Sequence, residues 1–293
     1  MPKASFTSTD NRQMEVEYET FGDPSHPALL MIMGYSAQMT AWPEGFIKNL
    51  ANAGYHVIRF DNRDCGLSTH LDGVFVDVGP VIAAALFDDP IPPIPYTLVD
   101  MAGDAIAVLD HLGIERAHVA GMSLGGMVSQ VLAYTHPHRV MTLTSISSQP
   151  GDPEVGQPTM EASAVIFEEA PVGMSREDYI ESSLSWQVWQ SKKYRDDNLS
   201  RTAAALSYDR AFYPEGATRQ LAAVYGTGRR HDQVATISVP TLVIHGTDDT
   251  LITPDGGERT AELIPNSTLV MVDDMGHDLP QPLWPLLTNA IVD

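Results

Sequence analysis

The chain reads as an α/β protein: a mostly parallel central sheet flanked by helices on both faces. Three observations predict it. Strand-like and helix-like segments alternate along most of the 293 residues, the order that a covered parallel sheet requires. Several strand candidates are short continuous apolar runs, as strands buried on both faces are. Gly121-Met122-Ser123-Leu124-Gly125 sets a serine at a sharp turn from a strand into a helix.

Strands are expected over 14–20, 28–33, 56–60, 118–120, 140–146, 241–245 and 268–272. Crossover helices are expected over 42–53, 98–112 and 125–134, the second from Leu98, Met101, Ala105, Val108 and Leu112 recurring at helical spacing. Two regions interrupt this order. Residues 71–95 carry Pro80, Pro90, Pro92, Pro93 and Pro95 around the apolar segment 81–87, which predicts a long excursion holding one short helix. From about 149 to 236 strand signals vanish, and helices are expected over 160–169, 176–193, 198–208 and 216–225. This all-helical segment, placed after the sixth strand, is expected to lie as a lid over the carboxyl edge of the sheet, where open α/β sheets bind ligands. The domains are therefore a core of 1–148 with 237–293 and a helical lid of 149–236.

A hydrophobic content of 43% is ample for a large core. With 38 acidic against 17 basic residues the net charge is −21, which argues against nucleic acid as a partner. The acidity fits either plain solubility or salty surroundings. Cys65 is the sole cysteine, so no intrachain disulfide forms, and a small packing residue is favoured over a reactive thiol. No stretch approaches the ~18 apolar residues of a membrane span, and a cytoplasmic protein without a membrane partner is expected; a chain trimmed of a leader would read the same. No metal site is indicated, since HExxH is absent and His136 and His138 are split by Pro137. Nothing in the sequence indicates an oligomeric state.

A serine hydroxyl becomes a nucleophile only when a base takes its proton, and the base needs an acid to orient it. On a doubly wound sheet these follow in the order serine, acid, histidine. After the strand over 241–245 comes Gly246-Thr247-Asp248-Asp249, and after 268–272 comes Asp273-Asp274-Met275-Gly276-His277. Ser123, Asp249 and His277 are therefore the candidate catalytic residues, with Asp248 as the alternative acid. The oxyanion of an acyl intermediate needs two backbone N–H groups; these are assigned to Leu124, at the start of a helix, and to Tyr35, in the turn Gly34-Tyr35-Ser36. Ser36 is a rival serine, lacking a second glycine at the right offset. Gly34, Met122, Phe87, Trp186, Trp189 and Phe212 are expected around a small-molecule substrate in an apolar pocket. The aromatic members could equally pack the lid onto the sheet.

These segments resemble the α/β-hydrolase superfamily over essentially the whole of 18–287. The resemblance is carried by Gly34-Tyr35-Ser36, by Arg59-Phe60-Asp61-Asn62-Arg63-Asp64-Cys65-Gly66-Leu67-Ser68, by the elbow at 121–126, by His245-Gly246-Thr247-Asp248-Asp249 and by Gly276-His277. Within it the chain is most similar to bacterial carboxylesterases of the aclacinomycin methylesterase type. That resemblance implies an ester hydrolase with a helical lid and no cofactor. The same triad would also serve lactone, thioester or carbon–carbon hydrolysis or peracid formation, and a disused scaffold serving as a binding protein is the reading from another class. Dehalogenases and epoxide hydrolases of this fold carry an aspartate at the elbow, which Ser123 argues against. One departure stands out: many relatives have His-Gly at the oxyanion turn, where this chain has Met33-Gly34, so the support of that turn is expected to differ.

Overall fold

The computed structural model describes residues 2–168 and 170–292. In chain order the elements are β1 (Lys3–Thr7), β2 (Gln13–Phe21), β3 (Ala28–Ile32), α1 (Glu44–Asn52), β4 (His56–Phe60), α2 (Val78–Leu86), α3 (Leu98–His111), β5 (Ala117–Met122), α4 (Leu124–Thr135) and β6 (Val140–Ile146). Then follow α5 (Met160–Ile166), α6 (Arg176–Ser182), α7 (Asp197–Ala211), α8 (Glu215–Thr227), α9 (His231–Val234), β7 (Thr241–Gly246), α10 (Pro254–Leu263), β8 (Thr268–Val272) and α11 (Trp284–Val292). Among the described residues the strands form one sheet in the order β1-β2-β4-β3-β5-β6-β7-β8. β1 and β2 run antiparallel to their neighbours, and every pair from β4 to β8 is parallel.

Alternation within a strand decides which helices it holds. In β3, Leu30 and Ile32 pack with Leu98, Met101 and Val108 of α3 and Val128 and Leu132 of α4, whereas Leu29 and Met31 pack with Phe46, Ile47 and Leu50 of α1 and Leu287 of α11. Each such aliphatic side chain, fully removed from water, stabilises the fold by about 1.5–3 kcal/mol. Side-chain caps fix several helix starts. Thr97 and Asp100 form a reciprocal capping box on α3, while Thr159, Ser175 and Asp196 cap α5, α6 and α7.

Two differences from the sequence reading have physical causes. The strand β1 was not anticipated: Lys-Ala-Ser-Phe-Thr buries only Ala4 fully, and the strand exists by pairing with β2 at the sheet edge. It makes 140–146 the sixth strand. The single helix expected over 176–193 stops at Ser182 and continues as a 3-10 stretch over Ser183–Val188. There the hydroxyls of Ser182, Ser183 and Ser185 each donate to the carbonyl three residues back, which tightens the coil. The helix expected over 160–169 ends at Ile166, and Glu169 lies outside the described residues. The short helix α9 also went unread.

The segment between β6 and β7 is held to the sheet by buried charge. Arg219 of α8 makes two bonds to Asp64, at 2.8 and 2.7 Å, and Arg210 of α7 lies 2.8 Å from Asp61. Asp61 and Asp64 both follow β4. Among the described residues no helix is long and apolar enough to cross a membrane.

Candidate active site

Ser123 occupies the single position between β5 and α4, with φ 57° and ψ −124°. Such a backbone is strained for a residue with a side chain, by about 1–3 kcal/mol, and persists only where its surroundings enforce it. The enforcing contacts are visible. The Ser123 N–H donates to the Ile146 carbonyl at 2.9 Å, and its own carbonyl accepts from the Ser148 hydroxyl at 2.8 Å and from the Met127 N–H at 3.1 Å. The helix that follows passes so close to β3 that a Cβ on Gly125 would stand 2.0 Å from the Ile32 carbonyl oxygen. Glycine is the residue that fits.

His277 and Asp249 arrive on the loops after β8 and β7. The loop after β8 folds back across the end of β7, with the Thr247 N–H donating to Val272 and the Asp248 N–H to Met275. This brings His277 Nδ1 to 2.7 Å from Asp249 Oδ2. The acid that meets the imidazole is thus Asp249, not Asp248. Asp249 Oδ1 accepts from the N–H groups of Leu251 and Ile252, at 2.9 and 3.0 Å, and buried His245 Nε2 stands 3.5 Å from Oδ2. Burial by itself raises the pKa of this carboxyl, but the charge of His277 and the hydrogen bonds from His245 and His277 outweigh it and bring it down to about 2. An ionised carboxylate only accepts, so Nδ1 of His277 carries the hydrogen. In the neutral ring the lone pair is then on Nε2.

The turn after β3 faces the serine. A Cβ on Gly34 would lie 3.1 Å from Ser123 Cβ and 3.6 Å from its Oγ, so the bare backbone of this turn borders the hydroxyl. Ser36 has φ 53°, and its N–H donates to Gln220 Oε1 at 2.8 Å. Asn62 Nδ2 donates to the Met33 carbonyl at 2.8 Å. Leu124 opens α4, and the N–H groups in a first helical turn have no acceptor within their own helix.

Other residues singled out in the sequence are placed as follows. Met122 is buried and its side chain joins the apolar cluster on the α1 and α11 face. Phe87, expected around the substrate, is 78% exposed at the end of α2. The apolar run before it forms a surface helix that buries Val81 and Ala84 and leaves Leu86 and Phe87 exposed. Trp186 and Phe212 pack edge-on against Tyr179, and Phe212 stacks on Tyr208. These rings serve as an apolar centre for the segment between β6 and β7. Trp189 does reach the His277 loop, its carbonyl accepting the His277 N–H at 2.6 Å. Cys65 is buried, and burial together with Asp61 pushes its thiol pKa far up, away from thiolate chemistry.

Four neighbours carry no role in the sequence reading. Ser148 and His245 act on backbone and carboxylate as described, and Gln220 ties α8 to the turn after β3. Asp278 Oδ1 accepts from the N–H groups of Ser191 and Gly276, at 3.1 and 3.3 Å. Burial, aided by the negative charge of Asp249, pushes its pKa up to about 6 against those bonds and the His277 charge. Adjacency to His277 is the one sequence signal that could have found it.

A strained serine between strand and helix, with a hydrogen-bonded His–Asp pair on later loops of the same sheet edge, defines a hydrolase framework, and a family model described as the alpha/beta hydrolase fold matches residues 27–280. The chain belongs to that family. Among curated proteins it is similar to rhodomycin D methylesterase DauP of Streptomyces sp. strain C5, 28% identical over 93% of this chain and 92% of that protein. It is also similar to 3-oxoadipate enol-lactonase 2 of Acinetobacter baylyi, 26% identical over 93% and 91% of the two chains. Among solved structures, the esterase EaEST from Exiguobacterium antarcticum aligns with TM-score 0.73 at 20% identity, covering 99% of this chain and 97% of the other. The enol-lactonase of Burkholderia xenovorans aligns with TM-score 0.71 at 21% identity, covering 99% and 98%.

Proposed function

We propose that this protein is a serine carboxylesterase that hydrolyses a small-molecule ester through an acyl-enzyme. The observation that carries the reading is the strained backbone of Ser123 at the β5–α4 junction, φ 57° and ψ −124°, together with the His277–Asp249 pair on later loops of the same sheet. In the proposed cycle His277 Nε2 takes the Ser123 proton as Oγ attacks the ester carbonyl carbon. The Tyr35 and Leu124 N–H groups hold the resulting oxyanion, and Asp249 stabilises the imidazolium. The carbonyl then re-forms, the C–O bond to the alcohol breaks, and the imidazolium gives the alcohol its proton. Water, deprotonated by the same imidazole, attacks the acyl group and releases the carboxylic acid with Ser123 restored. The relatives named methylesterases support an ester as substrate. The segment 149–236 acts here as a lid over the site, and its contact through Trp189 with the His277 loop supports that role.

The test pairs a panel of p-nitrophenyl esters, methyl esters, lactones and diketones with fluorophosphonate labelling of the wild type and of Ser123→Ala. Ester turnover and labelling, both lost in Ser123→Ala, are expected. Absence of labelling in the wild type would refute a nucleophilic Ser123, and turnover of lactones or diketones without esters would reassign the substrate.

A further inference from the structure

The turn that borders Ser123 begins at Met33-Gly34 and is held by side chains from outside it, Asn62 and Gln220. We infer that Gln220, on α8, is a positioning residue that orients the oxyanion turn Gly34-Tyr35-Ser36 from across the domain boundary. The inference rests on the serine esterase reading above.

Gln220 is fully buried and uses both ends of its amide: Oε1 accepts the Ser36 N–H at 2.8 Å, and Nε2 donates to the Arg63 carbonyl at 2.8 Å. One planar group therefore fixes the distance between the turn after β3 and the loop after β4. A buried amide that spans a donor and an acceptor has no apolar substitute, because either backbone group would be left unsatisfied at a cost of about 1–3 kcal/mol.

The consequence for the oxyanion follows from peptide planarity. Three successive peptide planes make the turn. The Met33–Gly34 plane is held at its oxygen by Asn62, 2.8 Å away, and the Tyr35–Ser36 plane is held at its nitrogen by Gln220. Between them lies the Gly34–Tyr35 plane, whose N–H is the proposed oxyanion donor and whose oxygen accepts the Ala37 N–H at 3.3 Å. With the flanking planes fixed, the middle one has little freedom to rotate. Ser36, at φ 53°, is the residue where release of this hold would let the chain relax. Gln38 adds a parallel tie, donating to the Ser207 and Ala211 carbonyls of α7 at 2.7 and 2.9 Å. The segment between β6 and β7 thus braces the proposed oxyanion turn through α7 and α8.

The experiment compares wild type with Gln220→Met, which keeps the volume and removes both bonds. Turnover of p-nitrophenyl butyrate is measured with thermal stability and with affinity for an alkyl trifluoromethyl ketone, whose serine adduct carries an oxyanion. A misplaced donor should lower kcat by about 10–100-fold, somewhat less than outright removal, with KM within about threefold. Affinity for the ketone should fall by a similar factor to kcat. If Gln220→Met does not fold, Gln220→Asn, whose amide stops about 1.5 Å short, takes its place with the same expected split. A folded variant with wild-type kcat, or one that changes KM alone, would overturn the inference. A wild type that neither turns over the ester nor reacts with a fluorophosphonate would instead refute the esterase reading, so the two failures are distinguishable.

Discussion

Asp278→Asn should make the protein more stable in neutral solution while leaving acid stability alone. Asp278 sits beside His277 and uses Oδ1 to accept the N–H groups of Ser191 and Gly276. An asparagine amide oxygen accepts the same two bonds and carries no charge to desolvate. The folded pKa of about 6 stands above the ordinary value of 3.8, so the native state holds the proton more tightly than the unfolded chain. Stability therefore falls as pH rises from about 4 to 6, and the full penalty persists above 6. A difference of 6 − 3.8, about 2 units at 1.36 kcal/mol each, is about 3 kcal/mol; partial exposure of the side chain reduces this to about 1–2 kcal/mol. In a protein of this size that is a rise in Tm of about 2–4 °C at pH 8. Urea and thermal unfolding of both proteins at pH 3.5, 5, 6.5 and 8 would measure it. A difference that does not change with pH, or a variant less stable at pH 8, would refute the reasoning.

Two further outcomes test the neighbouring groups. Asp249→Asn should lower kcat by roughly 10⁴-fold, by leaving Nδ1 of His277 without an anionic acceptor. Because the folded Asp249 pKa of about 2 lies below 3.8, its carboxylate adds about 2 kcal/mol of stability above pH 4, lost as pH falls towards 2. The variant should lack that acid-side loss in urea titrations, and an unchanged acid limb would count against the assignment. Gly125→Ala should abolish ester turnover and destabilise the fold by about 3 kcal/mol or more, because the new Cβ would meet the Ile32 carbonyl at 2.0 Å. A soluble, fully active Gly125→Ala, checked by circular dichroism and kinetics, would remove the close-approach argument.

Much of this was legible in the chain because it rests on local signals. The apolar run of β3 and the glycines around Ser123 need only their neighbours to be read, and Gly246 through Asp249 announces an acid after a strand. Features that depend on partners far along the chain were not legible. The sequence favours Asp249 with Asp248 as the alternative, but the contact that brings Asp249 to His277, 28 residues away, is made by a loop that folds back from β8 to β7. Gln220 lies 184 residues from Ser36, and no periodicity encodes that meeting. Phe87 and Met122 show the converse: both look suited to a pocket by type, yet one is turned to solvent and the other into the core. Side-chain direction on a surface helix or at a strand end is a property of packing, which residue type alone does not specify.

The pinning of the helical segment bears on how a substrate could enter. Gln38 and Gln220 attach α7 and α8 to the turn beside Ser123, and Trp189 and Ser191 attach the stretch before α7 to the histidine loop. Were the whole segment to swing away as one flap, it would break the contacts that hold the turn beside Ser123 and the histidine loop. By contrast, α6 and the turn before it are tied to α7 of the same segment, by Arg176 with Asp209 and by the Tyr208 hydroxyl donating to the Met174 carbonyl. The start of α5 is tied down as well, the Thr159 N–H donating to the Thr250 carbonyl at 2.9 Å, so in the proposed esterase small movements around α6 are the expected route for a guest while the anchors stay put.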